Sequence, residues 1–205
     1  MRNKLVLATR NQGKIVEFRR ILDELAPGAI ELIGVDQFPD LVDVDETGST
    51  FADNSLLKAR YTCQATGLPA IADDSGLCVD ALDGAPGIFS ARWAGSHGDD
   101  QANLEKVLDQ LKDVPAEKRT GHFICVASLV LPDGRQQVAE GRFDGHILLA
   151  PVGENGFGYD PIFQPGGMTI SSAQMGAAEK DLVSHRGKAL RSIAPHVIQL
   201  LASLR

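Results

Sequence analysis

Near the N-terminus the chain switches from a strand pattern to a helix pattern across one short polar loop. Residues 4–9 form a Leu- and Val-rich run of the kind that makes a buried strand. Ile15, Phe18, Leu22 and Leu25 then follow helical spacing, and Pro27-Gly28 stops the helix. A second helix is expected from Thr50, whose hydroxyl can cap it, to Gly67. Residues 69–72 read as another buried strand that ends at Asp73, Asp74, Ser75 and Gly76, with residues 77–79 continuing it or forming a neighbour. Residues 83–98, crowded with glycine and proline, predict a structured loop, and Leu104, Val107, Leu108 and Leu111 an amphipathic helix. Residues 122–131 and 136–149 read as paired strands around the turn Pro132-Asp133-Gly134. A last helix is expected from Ser184, kinked or restarted at Pro195 and reaching Leu204. Helices alternating with strands, plus one hairpin, predict an α/β fold on a mixed sheet.

With 205 residues and 43% hydrophobic content, the chain can bury the core of one domain or of two closely joined lobes. Its net charge of -7 argues against a nucleic-acid-binding module, which would carry a basic surplus, but leaves room for a small anionic ligand. Cys63, Cys78 and Cys125 show no metal-ligand spacing, and an odd number cannot complete an intrachain disulfide set, so they read as small apolar residues in a reducing compartment. The apolar run at residues 5–8 is too short for a signal-peptide core, and no run approaches the roughly 20 residues that span a bilayer. A cytoplasmic protein is expected.

Four segments carry candidate chemistry. In Thr9-Arg10-Asn11-Gln12-Gly13-Lys14 a strand feeds a helix N-terminus, where outward N–H groups and the helix dipole favour an anion; Thr9 and Asn11 add donors and Lys14 a full charge. The segment is not a Walker A loop, whose first Gly would fall on Ala8 and whose Ser/Thr would fall on Ile15. It is equally compatible with an ordinary strand–helix turn. Asp73 and Asp74 crowd two carboxylates at the end of an apolar strand, a cost that Mg²⁺ would offset. Because neighbouring strand side chains point to opposite faces, one acid should enter a cleft and the other cap the turn. Asp45 and Glu46, ahead of the second helix, are further metal-ligand candidates or simply favourable charge at that helix's start.

In Gly156-Phe157-Gly158-Tyr159-Asp160, Phe157 or Tyr159 can stack on a base and Asp160 can accept from a ring N–H, unless the rings merely pack into the core. Lys180, His185 and Arg186 gather near the last helix, where a cation at the helix start opposes the dipole and calls for a nearby anion.

Together these segments resemble the inosine/xanthosine triphosphate pyrophosphatase family. The resemblance runs in order through LVLATRNQGK, ETGSTFADNSLLKAR, LPAIADDSGLCVDALDGAPGIFSARWAG, GFGYDPIF and AEKDLVSHRGKAL, nearly the whole chain. It implies an elongated mixed sheet with flanking helices, two lobes around a central nucleotide-binding cleft, a homodimer, and Mg²⁺-assisted hydrolysis between the α- and β-phosphates of purine nucleoside triphosphates such as ITP, dITP and XTP. By the same resemblance Thr9, Asn11 and Lys14, within the loop that includes Arg10, Gln12 and Gly13, hold the triphosphate. Asp74 is the catalytic acid/base and a metal ligand, Ser75 touches substrate, and Glu46, with Asp45, serves the metal. Phe157, Gly158, Tyr159, Asp160, Lys180, His185 and Arg186 line the nucleotide site. Arg10 departs from the family pattern, which commonly has Gly there.

Overall fold

The computed structural model describes residues 3–203. The described strands are β1 (Asn3–Leu7), β2 (Ile30–Gly34), β3 (Ala70–Val79), β4 (Thr120–Val130), β5 (Gln136–Ile147) and β6 (Phe163–Pro165). The helices are α1 (Gln12–Leu25), α2 (Phe51–Thr66), α3 (Asp100–Gln110), α4 (Ala177–Val183) and α5 (His185–Ala202). The strands form one six-stranded sheet in the order β2-β1-β3-β4-β5-β6. β1 pairs in parallel with both β2 and β3, while β5 and β6 are antiparallel, so the sheet is mixed and the α/β expectation holds.

Backbone contacts divide the chain into two compact units. The first takes the chain up to Asp74, then Cys125–Gly141, then Arg186 onward; the second comprises Ser75–Ile124 and Arg142–His185. Within the first unit, two apolar layers cover the two faces of its sheet. Phe18, Ile21 and Leu22 of α1 and Ala189, Leu190, Ile193, Val197 and Leu201 of α5 pack with Leu5, Leu7 and Ile71. Ala59 and Cys63 of α2 pack with Val6, Ala70 and Ala72. Odd and even strand positions thus go to opposite faces, the period-two rule of a strand. In the second unit, Leu104, Val107 and Leu111 of α3 pack with Leu77, Val79, Phe123, Phe143, Ile147 and Phe163. No described helix is long and apolar enough to cross a membrane.

The helix ends follow their capping chemistry. Asn11 caps α1 by accepting from the Lys14 N–H, and Thr50 with Asp53 forms a reciprocal capping box on α2. α2 stops at Gly67, whose φ of 67° lies in the left-handed region.

Three expectations need correction. β3 does not end at the acidic pair but runs unbroken through residues 73–76, so Asp73 caps no turn. Of the kink or restart expected at Pro195, the restart does not occur, because α5 continues through it as one helix; the apolar stripe that it buries on both sides of the proline outweighs the missing backbone hydrogen bond. Its expected end at Leu204 lies outside the described residues. The strands β2 and β6 and the seven-residue helix α4 were not expected at all.

Candidate functional site

Because β3 passes straight through Asp73 and Asp74, the two carboxylates leave it on opposite faces, and each meets its own set of partners in the first unit. Asp73 points to the α1/α5 side and is 1% exposed. There Lys14 Nζ lies 3.1 Å and Arg186 Nε 3.2 Å from Asp73 Oδ2. Arg186 Nη1 also donates to Glu17 Oε2 at 2.5 Å, and the Cys125 thiol contacts Asp73 Oδ2 at 3.7 Å. Burial pushes the Asp73 carboxyl up, but Lys14, Arg186 and Lys58 together outweigh it and hold it below the usual carboxylate range. Burial would likewise lower Arg186, yet Asp73 and Glu17 leave it firmly charged. The Cys125 thiol is pushed up by burial and by Asp73, so it stays protonated and unreactive. All three cysteines are buried thiols.

The sequence reading left Arg186, a cation at the start of a helix, calling for an anion. Glu17 and Asp73 supply that charge from within the protein.

Asp74 points to the α2 side. Asn54 and Lys58, four residues apart on one face of α2, both address it: Asn54 Nδ2 donates to Asp74 Oδ2 at 3.1 Å, and Lys58 Nζ lies 3.7 Å from Asp74 Oδ1. The Gly48 N–H donates to Asn54 Oδ1 at 2.8 Å, which turns the amide NH₂ of Asn54 toward Asp74. Gly48 is required for that approach, since a Cβ there would stand 2.6 Å from Asn54 Oδ1 and 2.5 Å from Asp53 Cβ. Lys58 also donates to Glu46 Oε1 at 2.6 Å, so one ammonium bridges the Glu46 and Asp74 carboxylates. Asp45, beside Glu46, is exposed.

Burial raises the Asp74 carboxyl, opposed by Lys58 and reinforced by Glu46. Burial lowers Lys58, but Asp74, Glu46 and Asp73 more than compensate and keep it protonated. Glu46 and Asp74 are the two carboxylates that could hold a hard divalent ion, which takes one or two carboxylates alongside phosphate oxygens, with Lys58 giving way between them. Among the described residues no group of three His, Cys, Asp or Glu side chains forms a fuller cage.

The loop from Thr9 to Lys14 sits at the start of α1, whose first turn carries no acid of its own. Thr9 Oγ1 accepts from the Asn11 N–H at 3.2 Å, and Asn11 Oδ1 accepts from the Lys14 N–H at 3.0 Å. Gln12 and Gly13 therefore present the outermost amides of the helix. Arg10 turns to the neighbouring loop, with Nε 2.8 Å from Asp43 Oδ1 and Nη2 donating to the Leu41 carbonyl at 2.7 Å.

The second unit holds the other candidates. Asp160, 3% exposed, accepts at one oxygen from the Phe157 N–H at 2.9 Å and from Lys180 Nζ at 2.6 Å. Gly156, at φ 77°, passes so close to that carboxylate that a Cβ would overlap it. Tyr159 is buried in the apolar core and donates its hydroxyl to the Ser90 carbonyl at 2.8 Å, whereas Phe157 remains half-buried beneath Lys180 Nζ, 5.3 Å from the ring centroid. Of the two rings, Phe157 is the one with a face to offer. The Gly158 N–H donates to Asp100 Oδ2 at 2.9 Å. His185, 5% exposed, stacks on Phe123 with ring centroids 4.7 Å apart. Ser75, next to Asp74 on β3, is half-buried.

Four residues of this arrangement escaped the sequence reading. Glu17 had a visible signal, a charge on the apolar stripe between Lys14 and Ile21. Asn54 and Lys58 share one face of the helix that follows Asp45-Glu46, a polar pair where a core-facing helix should be apolar. Asp100 had no signal beyond its place at a helix start.

A model of the Ham1 family matches residues 5–196. The dITP/XTP pyrophosphatase of Streptomyces coelicolor is 58% identical over 198 residues, spanning 97% of this chain and 98% of that protein. Among solved structures, the nucleoside-triphosphatase (dITP/XTP pyrophosphatase) of Mycobacterium abscessus has 47% identity and a TM-score of 0.76, covering 94% of this chain and 99% of its own. A HAM1 protein from Coxiella burnetii has 38% identity and a TM-score of 0.85, covering 96% and 99%. These relatives bear out the resemblance drawn from the ordered motifs. With its mixed sheet, its back-to-back acids on β3 and this near-complete match, the chain belongs to the Ham1 family.

Proposed function

We propose that this chain hydrolyses non-standard purine nucleoside triphosphates, ITP, dITP and XTP, to the monophosphate and pyrophosphate. The observation that carries the reading is Asp74: a buried carboxylate raised by its surroundings, steadied by Asn54, and sharing Lys58 with Glu46. Of the two acids Asp74, raised by burial, is the better proton acceptor, whereas Asp73 is held low by its cations. Asp74 orients and deprotonates the water that attacks the α-phosphorus. Lys14 and the amides of Gln12 and Gly13, with Thr9, Asn11 and Arg10 in the same loop, balance charge on the departing pyrophosphate. Asp74 and Glu46, with Asp45 next in line, would hold Mg²⁺; when bound, the ion neutralises phosphate oxygens.

Phe157 stacks on the base, and Gly158, Asp160, Lys180 and Ser75 frame the nucleotide, with Tyr159 anchoring their loop from the core. His185 is the proposed donor toward the purine 6-oxygen, while Arg186, held by Glu17 and Asp73, fixes those two acids in place. An adenine amino group there sets donor against donor, and an unsatisfied buried group costs about 1–3 kcal/mol, roughly 5- to 150-fold in preference. The enzyme works as a cytoplasmic homodimer on free nucleotides.

A triphosphate panel tests this reading. With Mg²⁺ present, ITP, XTP and dITP should turn over far ahead of ATP, GTP and TTP, with pyrophosphate and monophosphate released in equal amounts. Chelation should stop all of it. Release of orthophosphate, or equal turnover of ATP and ITP, would refute the assignment.

A further inference from the structure

Three consecutive residues in the second unit are anchored by three different elements. The Phe157 N–H is held by Asp160, the Gly158 N–H by Asp100, and the Tyr159 hydroxyl by the Ser90 carbonyl. Two of these anchors are buried and local to the loop or the core. The third comes from the first residue of α3, 58 positions away in sequence.

The same helix also fixes the segment that carries Ser90. Asn103 accepts from the Ala94 N–H at 2.6 Å and donates to the Ala91 carbonyl at 3.3 Å. Lys106 donates to the Trp93 carbonyl at 2.5 Å and lies 4.4 Å from the Trp93 ring centroid. Gln110 accepts from Trp93 Nε1 at 2.8 Å. Asp100, Asn103, Lys106 and Gln110 recur every three to four residues and lie along one helix face. One rigid helix thus references both the loop with the candidate stacking ring and the segment that receives Tyr159.

We infer that Asp100 is a positioning residue for base binding: by accepting the Gly158 N–H it sets the backbone of the loop and, through it, the face of Phe157. The inference rests on the proposed stacking role of Phe157. An acid in the first turn of α3 also suits the helix dipole, and that role alone would affect stability but not substrate affinity. The two roles separate by substitution. Asp100→Ala removes both the acceptor and the charge; Asp100→Asn keeps an acceptor oxygen and loses only the charge.

Losing one hydrogen bond to a charged acceptor should raise the KM for ITP about 5- to 10-fold in Asp100→Ala, with kcat within about twofold of wild type. Asp100→Asn should return KM to within about twofold. Amide hydrogen exchange at Gly158 should accelerate by a similar factor in Asp100→Ala and stay near wild type in Asp100→Asn. An unchanged KM in Asp100→Ala, or Asp100→Asn as impaired as Asp100→Ala, overturns the inference. Unchanged exchange at Gly158 in Asp100→Ala overturns it as well. Should wild type split no triphosphate, the functional reading fails, and equilibrium binding of ITP to the same variants replaces KM with the same outcomes.

Discussion

Asp74→Asn is expected to lower pyrophosphate release from ITP by about 10²–10⁴-fold while leaving the fold intact. The side chains have the same shape, and an Asn oxygen can still accept from Asn54. What disappears is the negative charge and, with it, the ability to receive a proton. The stability prediction follows from the surroundings of the carboxylate. Burial and Glu46 both oppose charge on Asp74, so neutralising it relieves repulsion even as the contact with Lys58 weakens. Circular dichroism and the melting midpoint should therefore stay close to wild type. A soluble, folded Asp74→Asn protein that keeps a tenth or more of its turnover would remove Asp74 from the chemistry.

Arg186→Met is expected to have the largest effect on stability. The guanidinium is 2% exposed and serves two buried acids, Glu17 and Asp73. Methionine fills much of the volume but takes the guanidinium away from both Glu17 and Asp73. Breaking a buried pair by removing one partner costs about 3–5 kcal/mol. For a chain of this size that corresponds to a drop in melting midpoint of roughly 6–20 °C. Adding Glu17→Gln to Arg186→Met should recover part of the loss, because the second change removes a buried charge that the guanidinium had balanced. Thermal unfolding of both variants checks this. A midpoint within 2 °C of wild type for the single variant, or an additive double variant, would contradict the network.

Much of the first unit was legible in the sequence because local chemistry and tertiary structure agree there. The stripe Ile15, Phe18, Leu22 and Leu25, the Thr50 cap and Gly67 marked α1 and α2 to within a few residues. Local reading failed where tertiary context reversed it. Asp73 and Asp74 looked like the end of a strand because two acids are costly inside one. β3 nonetheless continues through them, since Lys14 and Arg186 on one face and Asn54 and Lys58 on the other balance their charges. Pro195 predicts a kink or a restart, and the buried stripe on either side of it excludes the restart. β6, of three residues, is too short to show a period of its own.

Of the candidate site, the sequence located the acids and the loops but not their partners. Alternation along a strand correctly sent the two aspartates to opposite faces. It could not say that the second aspartate would meet a lysine on α2, because that contact depends on how α2 lies on the sheet. Phe157 and Tyr159 were equivalent as letters. Only packing shows that Tyr159 belongs to the core and Phe157 keeps a face to offer.

Hydrolysis of ITP in oxygen-18 water, with Mg²⁺ present, probes the core of this account in a single mass spectrum. Attack at the α-phosphorus by water activated at Asp74 places one heavy oxygen in inosine monophosphate and none in pyrophosphate. Heavy oxygen in pyrophosphate, or in released orthophosphate, would contradict it.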